Sequence, residues 1–238
     1  MERRDIGIEH LDGELDDLGV VAGNLRDLRR FNRLFGGVAL SSWGVRRLLD
    51  GATAATLLDV GTGGADIPVA LLAEARRRDL DLDVTAVDGR AEVIEAARLA
   101  RPGLERISGL RLGVVEAGRL PYPDGAFDVA HASLVVHHLD ESAAVRFLAE
   151  LARVSRVGVV VNDLHRGRLA WLGAWLVGHF LTRNRFTRHD APLSVRRAYR
   201  LAELEGLLER AGLEAVDRRV GPFGHRYAVV AVARHARQ

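Results

Sequence analysis

The stretch LLDVGTGGADIPVAL, residues 57–71, decides the fold. An apolar run of strand length meets a glycine-rich loop, and the loop meets a segment with apolar residues at helical spacing. Strand, glycine loop and helix in that order open a doubly wound α/β sheet, which binds ligands beyond the carboxyl ends of its strands. Pro68 fits the first turn of the helix, where an amide hydrogen has no partner within the helix.

The loop also restricts the ligand. Gly61 and Gly63 fill the first two places of the dinucleotide pattern G-x-G-x-x-G, but the third place holds Asp66. A carboxylate there, with Asp59 nearby, repels a pyrophosphate at the helix N-terminus. The pattern G-x-x-x-x-G-K-[ST] is absent, so the loop is not a P-loop. The ligand must present a cationic or neutral group. S-adenosylmethionine does so, with an ammonium, a sulfonium and no phosphate. Asp88 ends the next strand, where a carboxylate can accept from ribose hydroxyls; that feature alone fits NAD equally well. The combination of Asp59, Gly61, Gly63, Asp66 and Asp88 discriminates between them. The competing reading of Asp66 is a helix cap.

Outward from this stretch, strands and helices alternate. Strands are predicted at 56–60, 82–88, 110–117, 127–136 and 156–163, with helices at 66–78, 90–100, 141–153 and 201–211. Two closing strands near 214–220 and 225–234 suggest a hairpin edge. The expected fold class is α/β: a Rossmann-like doubly wound sheet, mostly parallel, with an antiparallel last strand. The expected domains are an N-terminal helical lid over 1–50, a cofactor-binding core over 51–163, a helical insertion forming a substrate lid over 164–200, and the rest of the core over 201–238.

Composition sets the outer limits. The 238 residues are 48% hydrophobic and 28% charged, which suits a soluble globular domain with a buried core. There is no cysteine, which excludes disulfides, thiolate metal sites and a cysteine nucleophile. All 34 basic residues are arginine, interspersed with acids to a net charge of +2. No basic block tracks a phosphate backbone, so no nucleic-acid partner is expected. The opening MERRDIGIEH lacks the apolar core of a signal peptide, and the apolar run 169–181 is too short for an ordinary membrane span. The expectation is a cytoplasmic protein, monomer or homodimer, with a small-molecule partner.

Four segments in register, LLDVGTGGAD (57–66), VTAVDGR (84–90), VVEAGRLPYPDGAFDVAHASLVVHHL (114–139) and the helix and strand that follow, resemble the class I S-adenosylmethionine-dependent methyltransferases. The nearest branch is the small-molecule one that includes the quinone-biosynthesis enzymes. LRDLRRFNRLFGG (25–37), NDLHR (162–166) and RHDAPLSVRRAY (188–199) resemble a bacterial subgroup linked to phenol or polyketide biosynthesis. The resemblance implies S-adenosylmethionine as cofactor and S-adenosylhomocysteine as product. It implies that Asp59, Gly61, Thr62 and Gly63 line the methionine part; Asp66 joins them as a cofactor contact on the charge argument above. Asp88 and Gly89 would hold the ribose, Glu116 and Ala117 the adenine, and Ser133 would face the methionine end. Glu116 stands where the family often has an aspartate, and SRVG replaces a frequent KPGG turn before the fifth strand.

An oxygen acceptor must lose a proton, which calls for a base. His189 in the insertion is the first choice and His138, after the fourth strand, the second; HHL is often structural in the resembling family. Phe31, Arg33, Asn162, His165 and Arg166 are candidate substrate contacts. No close spacing such as H-x-x-x-H suggests a metal. The resulting expectation is O-methylation of a phenolic or polyketide-like hydroxyl. The alternatives are C- or N-methylation, a non-catalytic cofactor-binding paralogue and, more distantly, an NAD-dependent oxidoreductase.

Overall fold

The structure is a computed structural model that describes residues 4, 5, 7–15, 17–116 and 118–234. Seven strands form one sheet: β1 (Ala54–Val60), β2 (Asp81–Asp88), β3 (Leu110–Val114), β4 (Phe127–Ser133), β5 (Ser155–Leu164), β6 (Leu213–Val220) and β7 (Arg226–Ala233). Their order is β3-β2-β1-β4-β5-β7-β6. The first five pair in parallel, and β7 runs antiparallel to both β5 and β6. The sheet and its closing hairpin therefore follow the sequence expectation. The order reverses between β1 and β4, and the crevice that such a reversal opens lies beyond their carboxyl ends.

The helices are α1 (Leu18–Leu34), α2 (Gly37–Leu48), α3 (Asp66–Arg76), α4 (Ala91–Ala100), α5 (Glu141–Val154), α6 (Arg168–Phe180), α7 (Arg185–Arg197) and α8 (Leu201–Arg210). One core gathers residues of α1 to α4 against the sheet, and a second gathers α5 and α8. Central strands buried on both faces read as apolar runs, as Val159, Val160 and Val161 of β5 do.

The N-terminal region differs from the expected lid. Gly36, at φ +86°, ends α1 and lets the chain turn straight into α2. Helix α2 packs on β4, β5 and β7 and so forms part of the core layer. A Cβ on Gly44 of α2 would lie 2.6 Å from Cγ1 of Val160, so the helix approaches the strand as closely as glycine allows. The insertion is two helices, α6 and α7, packed on each other. Helix α6 leaves Leu169, Leu172, Leu176 and Phe180 exposed. Among the described residues no helix is long and apolar enough to cross a membrane.

Candidate active site

The glycine loop turns at the end of β1. Gly61 (φ +73°) and Gly63 (φ +52°) occupy left-handed backbone, which glycine adopts without steric cost. The amides of Gly61 and Thr62 both donate to the carbonyl of Val87, at 2.8 and 2.9 Å, tying the loop to the end of β2. The Gly63 amide donates to Asp88 Oδ2 at 3.0 Å, and the Arg90 amide to Asp88 Oδ1 at 3.2 Å. Asp88 thus joins the loop to the turn after β2. Burial pushes its carboxyl above the ordinary range, against the pull of those amides.

Beneath the loop lies a buried polar chain. Asp59 Oδ1 accepts from His131 Nδ1 at 2.5 Å. His131 Nε2 is 2.8 Å from Ser41 Oγ, which accepts from Asn162 Nδ2 at 2.7 Å. A carboxylate only accepts, so the ring donates from Nδ1, with the Ser41 hydroxyl at its Nε2. Arg226, at the start of β7, donates to Asn162 Oδ1 and Asn32 Oδ1, both at 2.6 Å, and to Ser133 Oγ at 2.7 Å. Asn32 in turn donates to Asp66 Oδ2 at 3.1 Å. The two acids that bracket the glycines are therefore the two ends of one network. Burial pulls the Arg226 guanidinium down to about 10, with Asp163 and Asp66 opposing. Burial also raises Asp66, against its bond from Asn32.

The network corrects several expectations. Asn162 is fully buried and spends its amide on Gly37, Ser41 and Arg226, so it is no open substrate contact. Arg166 is also buried, bonded to the Ala198 carbonyl at 2.7 Å and to Glu203 at 2.6 Å, and serves to join β5 to α8. Both stand at the end of a strand, where sequence position alone suggests the crevice; their polar groups are consumed by packed helices. His165 is half-buried, with Nδ1 against the Gly224 carbonyl at 3.1 Å. Phe31 is half-buried against Phe35, with ring centroids 5.8 Å apart, and Arg33 is exposed. Asp66 begins α3, but the residue before it, Ala65, occupies the cap position without a side-chain bond. The helix-cap reading of Asp66 therefore gives way to its bond with Asn32.

The remaining expected cofactor residues line the crevice edge. Ser133 ends β4, Gly89 follows Asp88, and Glu116 is exposed beside Gly89. Ala117 lies outside the described residues. The Thr62 hydroxyl is buried in the loop without a partner. That orphaned hydroxyl, the glycine backbone and the raised Asp66 and Asp88 carboxyls suit a ligand carrying an ammonium and a ribose. The loop has no cation for a phosphate. A surface cleft lined by Trp43, Arg46, Glu74 and Arg78 lies at the opposite, N-terminal ends of β1 and β2 and contains none of these residues.

A second cluster stands where β4 runs into the 3-10 turn Val136–His138. Val135 packs on the glycine loop: a Cβ on Gly61 would lie 2.4 Å from its Cγ2. His137 Nδ1 donates to Asp163 Oδ1 at 2.6 Å, and Asp163 Oδ2 accepts the His137 amide at 3.1 Å. The His137 ring holds Asp163 below the ordinary range, against burial. His138 Nδ1 is 3.0 Å from Asp12 Oδ2. Burial opposes ionisation of Asp12, yet its bonds to His138 and Arg197 hold it down at about 2. Glu9 faces both rings, and burial pushes it up to about 7.

Residues 4, 5 and 7–15 form a strap that brings Glu9 and Asp12 to this cluster. At one end Arg4 donates to the carbonyls of His137 and Leu139, both at 3.0 Å. At the other, Arg90 donates to the carbonyls of Leu11 (3.1 Å) and Gly13 (2.5 Å). The strap therefore connects the turn after β4 with the turn after β2. His189 lies on its outer side: the ring is 4.0 Å from that of His10, and Nδ1 is 2.8 Å from the adjacent Asp190. Asp190 also accepts the His10 and Leu11 amides, so this pair anchors the strap. Glu9, Asp12, His131 and Arg226 escape sequence reasoning. The one local signal is a lone arginine opening the apolar strand RYAVVAVA.

Comparison with known proteins gives three findings. Residues 58–161 match a family model described as a methyltransferase domain. A 72-residue stretch is 35% identical to the ubiquinone/menaquinone biosynthesis C-methyltransferase UbiE of Rickettsia akari (strain Hartford); the match covers 30% of this chain and 29% of that protein. Among solved structures, a SAM-dependent methyltransferase from Aquifex aeolicus superposes with a TM-score of 0.61 at 20% identity, over 88% of this chain and 97% of that one. NcsB1, an O-methyltransferase from neocarzinostatin biosynthesis solved with S-adenosylhomocysteine and 1,4-dihydroxy-2-naphthoic acid, gives 0.63 at 19% identity, over 91% and 59%. The mitomycin 7-O-methyltransferase MmcR gives 0.58 at 25% identity, over 85% and 56%.

Proposed function

From the match of residues 58–161 to a methyltransferase-domain model and from the Rossmann-like sheet, we propose that the chain is an S-adenosylmethionine-dependent methyltransferase that methylates a hydroxyl of a small phenolic or polyketide-like molecule. The observation that carries the reading is the acidic glycine loop, with Asp59 and Asp66 joined beneath it and Asp88 bonded to the Gly63 amide.

In this reading Asp66 and the loop backbone hold the amino-acid end of the cofactor, and Asp88 holds the ribose. Asp59, with one oxygen on His131, fixes the loop from below. When bound, the cofactor supplies a methyl group already activated on a sulfonium. The chain's own task is to orient the acceptor, exclude water and take up its proton. Of the two expected bases, His138 has the better position. It stands in the cluster after β4, three residues beyond the valine that packs on Gly61. His189 is engaged with Asp190 and His10 on the outer side of the strap. Two O-methyltransferases among the structural neighbours favour an oxygen acceptor. The UbiE stretch favours carbon, and this is the second reading.

Calorimetry with S-adenosylhomocysteine and with NAD, followed by transfer of labelled methyl from the cofactor to 1,4-dihydroxy-2-naphthoic acid and a phenol panel, tests the proposal. Binding of the homocysteine compound and label on oxygen are expected. Binding of NAD alone would overturn the cofactor assignment, and label on carbon would replace the reaction by C-methylation.

A further inference from the structure

We propose that Glu9, His137 and His138 form a binding site for one divalent transition-metal ion, of the kind served by two imidazoles and a carboxylate. The three side chains offer ligand atoms within 4.8 Å of one another. His137 Nε2 lies 3.7 Å from Glu9 Oε1, and His138 Nε2 lies 3.9 Å from Glu9 Oε2. Two donors each about 2.1 Å from a zinc-like ion at a tetrahedral angle stand roughly 3.4 Å apart. The spacing found is a few tenths of an ångström wider than that along the carboxylate edges.

Three further features distinguish this cluster from an ordinary ion-pair group. Each ring is held at Nδ1 by a separate carboxylate, Asp163 for His137 and Asp12 for His138. This is the outer-shell arrangement that fixes the tautomer of metal-binding histidines and aims Nε2 at the ion. Glu9 Oε1 is buried without a hydrogen-bond partner, in a residue only 3% exposed, and it faces the two rings. A buried oxygen left in that state is costly unless a ligand meets it. The local charge also fits. Four carboxylates, Glu9, Asp12, Asp163 and Asp190, gather here, with Arg197 2.7 Å from Asp12 and 3.6 Å from Glu9, and Arg226 acting on Asp163. Imidazole and carboxylate ligands suit zinc, manganese, iron, cobalt or nickel, and the lack of thiolate argues against a soft ion.

The position explains why sequence spacing conceals the site. His137 and His138 are adjacent, and the third ligand, Glu9, arrives from the strap near the start of the chain. Three protein ligands leave a coordination position open, as in catalytic rather than structural sites. With His138 as a ligand, the ion replaces it as the group that ionises the acceptor: a hydroxyl in that position would lose its proton to water as its O–H bond breaks. Only this last assignment rests on the proposed function; metal binding itself does not.

The test uses the full chain, stripped with chelator and titrated with Co(II), followed by visible absorption, and with Zn(II), followed by calorimetry. One ion per chain is expected, with the absorption of a nitrogen- and oxygen-ligated Co(II) centre. Glu9→Gln and His138→Gln should each weaken binding by roughly tenfold or more, and His189→Ala should leave it unchanged. Melting temperature and S-adenosylhomocysteine binding are read on the same samples; if Glu9→Gln fails to fold, His138→Gln at the half-buried ring decides. No uptake by the parent chain, or uptake unaffected in both ligand variants, overturns the site and leaves a cluster of histidines hydrogen-bonded to acids. Loss of homocysteine binding with metal uptake intact would count against the methyltransferase reading instead.

Discussion

Asp59 and His131 are register partners on the neighbouring strands β1 and β4, and the carboxylate of one is 2.5 Å from the ring of the other, both buried. The pair spans the point where strand order reverses, directly below the glycine loop. Replacing His131 by leucine leaves the Asp59 carboxylate buried without its donor. Removing one partner of a buried pair costs about 3–5 kcal/mol, so urea denaturation of His131→Leu should show a loss of that order. A loss below about 1 kcal/mol would mean that water or another group replaces the ring.

Gly61 and Gly64 separate strain from composition within one loop. Gly61→Ala places a side chain at φ +73° and 2.4 Å from Val135. The backbone penalty of about 1–2 kcal/mol adds to overpacking of about 1–3 kcal/mol, and displacement of Val135 should also abolish S-adenosylhomocysteine binding. Gly64→Ala has ordinary contacts, with Leu25 at 3.5 Å, and should change the melting temperature little. Equal effects of the two substitutions would show that the loop does not require the left-handed turn at Gly61.

The sheet, its order of strands and helices and the closing hairpin are legible in the sequence, because each rests on a local period. A strand buried on both faces is apolar throughout, and a helix on one face repeats its apolar residues every three or four positions. The acids of the glycine loop are legible for the same reason: they stand at fixed offsets from the turn. The polar network is not, because its members come from α1, α2, β1, β4, β5 and β7, and nothing local in Asn162 or Arg166 says that a helix from elsewhere will bury it. His189 shows the limit most clearly. Its neighbour Asp190 and its place in the insertion suggest a cleft, whereas the side chain closes on His10, from the far end of the chain.

The two raised carboxyls make cofactor affinity depend on pH. Burial lifts Asp66 and Asp88 above their ordinary 3.8. A carboxyl raised on folding favours the folded chain below 3.8, and that contribution is lost as pH rises through the folded value. These two groups therefore stabilise the ligand-free chain in acid and lose that contribution as pH climbs, whereas Asp12 and Asp163, held low, act in the opposite sense. An ammonium ligand reverses the balance, because it prefers the ionised carboxylate. S-adenosylhomocysteine should bind several-fold more weakly at pH 5 than at pH 7.5, and Asp66→Asn should flatten the difference. Calorimetry at the two pH values checks this; affinity that rises on acidification would place the ammonium elsewhere.

Helix α2 belongs to the core rather than to a lid, and Gly44 and Val160 supply the test. The glycine leaves room for the valine: an added Cβ would sit 2.6 Å from Cγ1. Gly44→Ala gains helix propensity of about 1 kcal/mol but pushes α2 off β5, at a cost of about 1–3 kcal/mol. Val160→Ala alone opens a gap under the helix. In the double variant the new methyl occupies the space that the valine vacates, so the two changes should be less damaging together than their sum. A coupling of about 1–2 kcal/mol in a double-mutant cycle, measured by chemical denaturation, is the expected result. Simple additivity would show that α2 lifts away from the sheet at little cost, as a lid does.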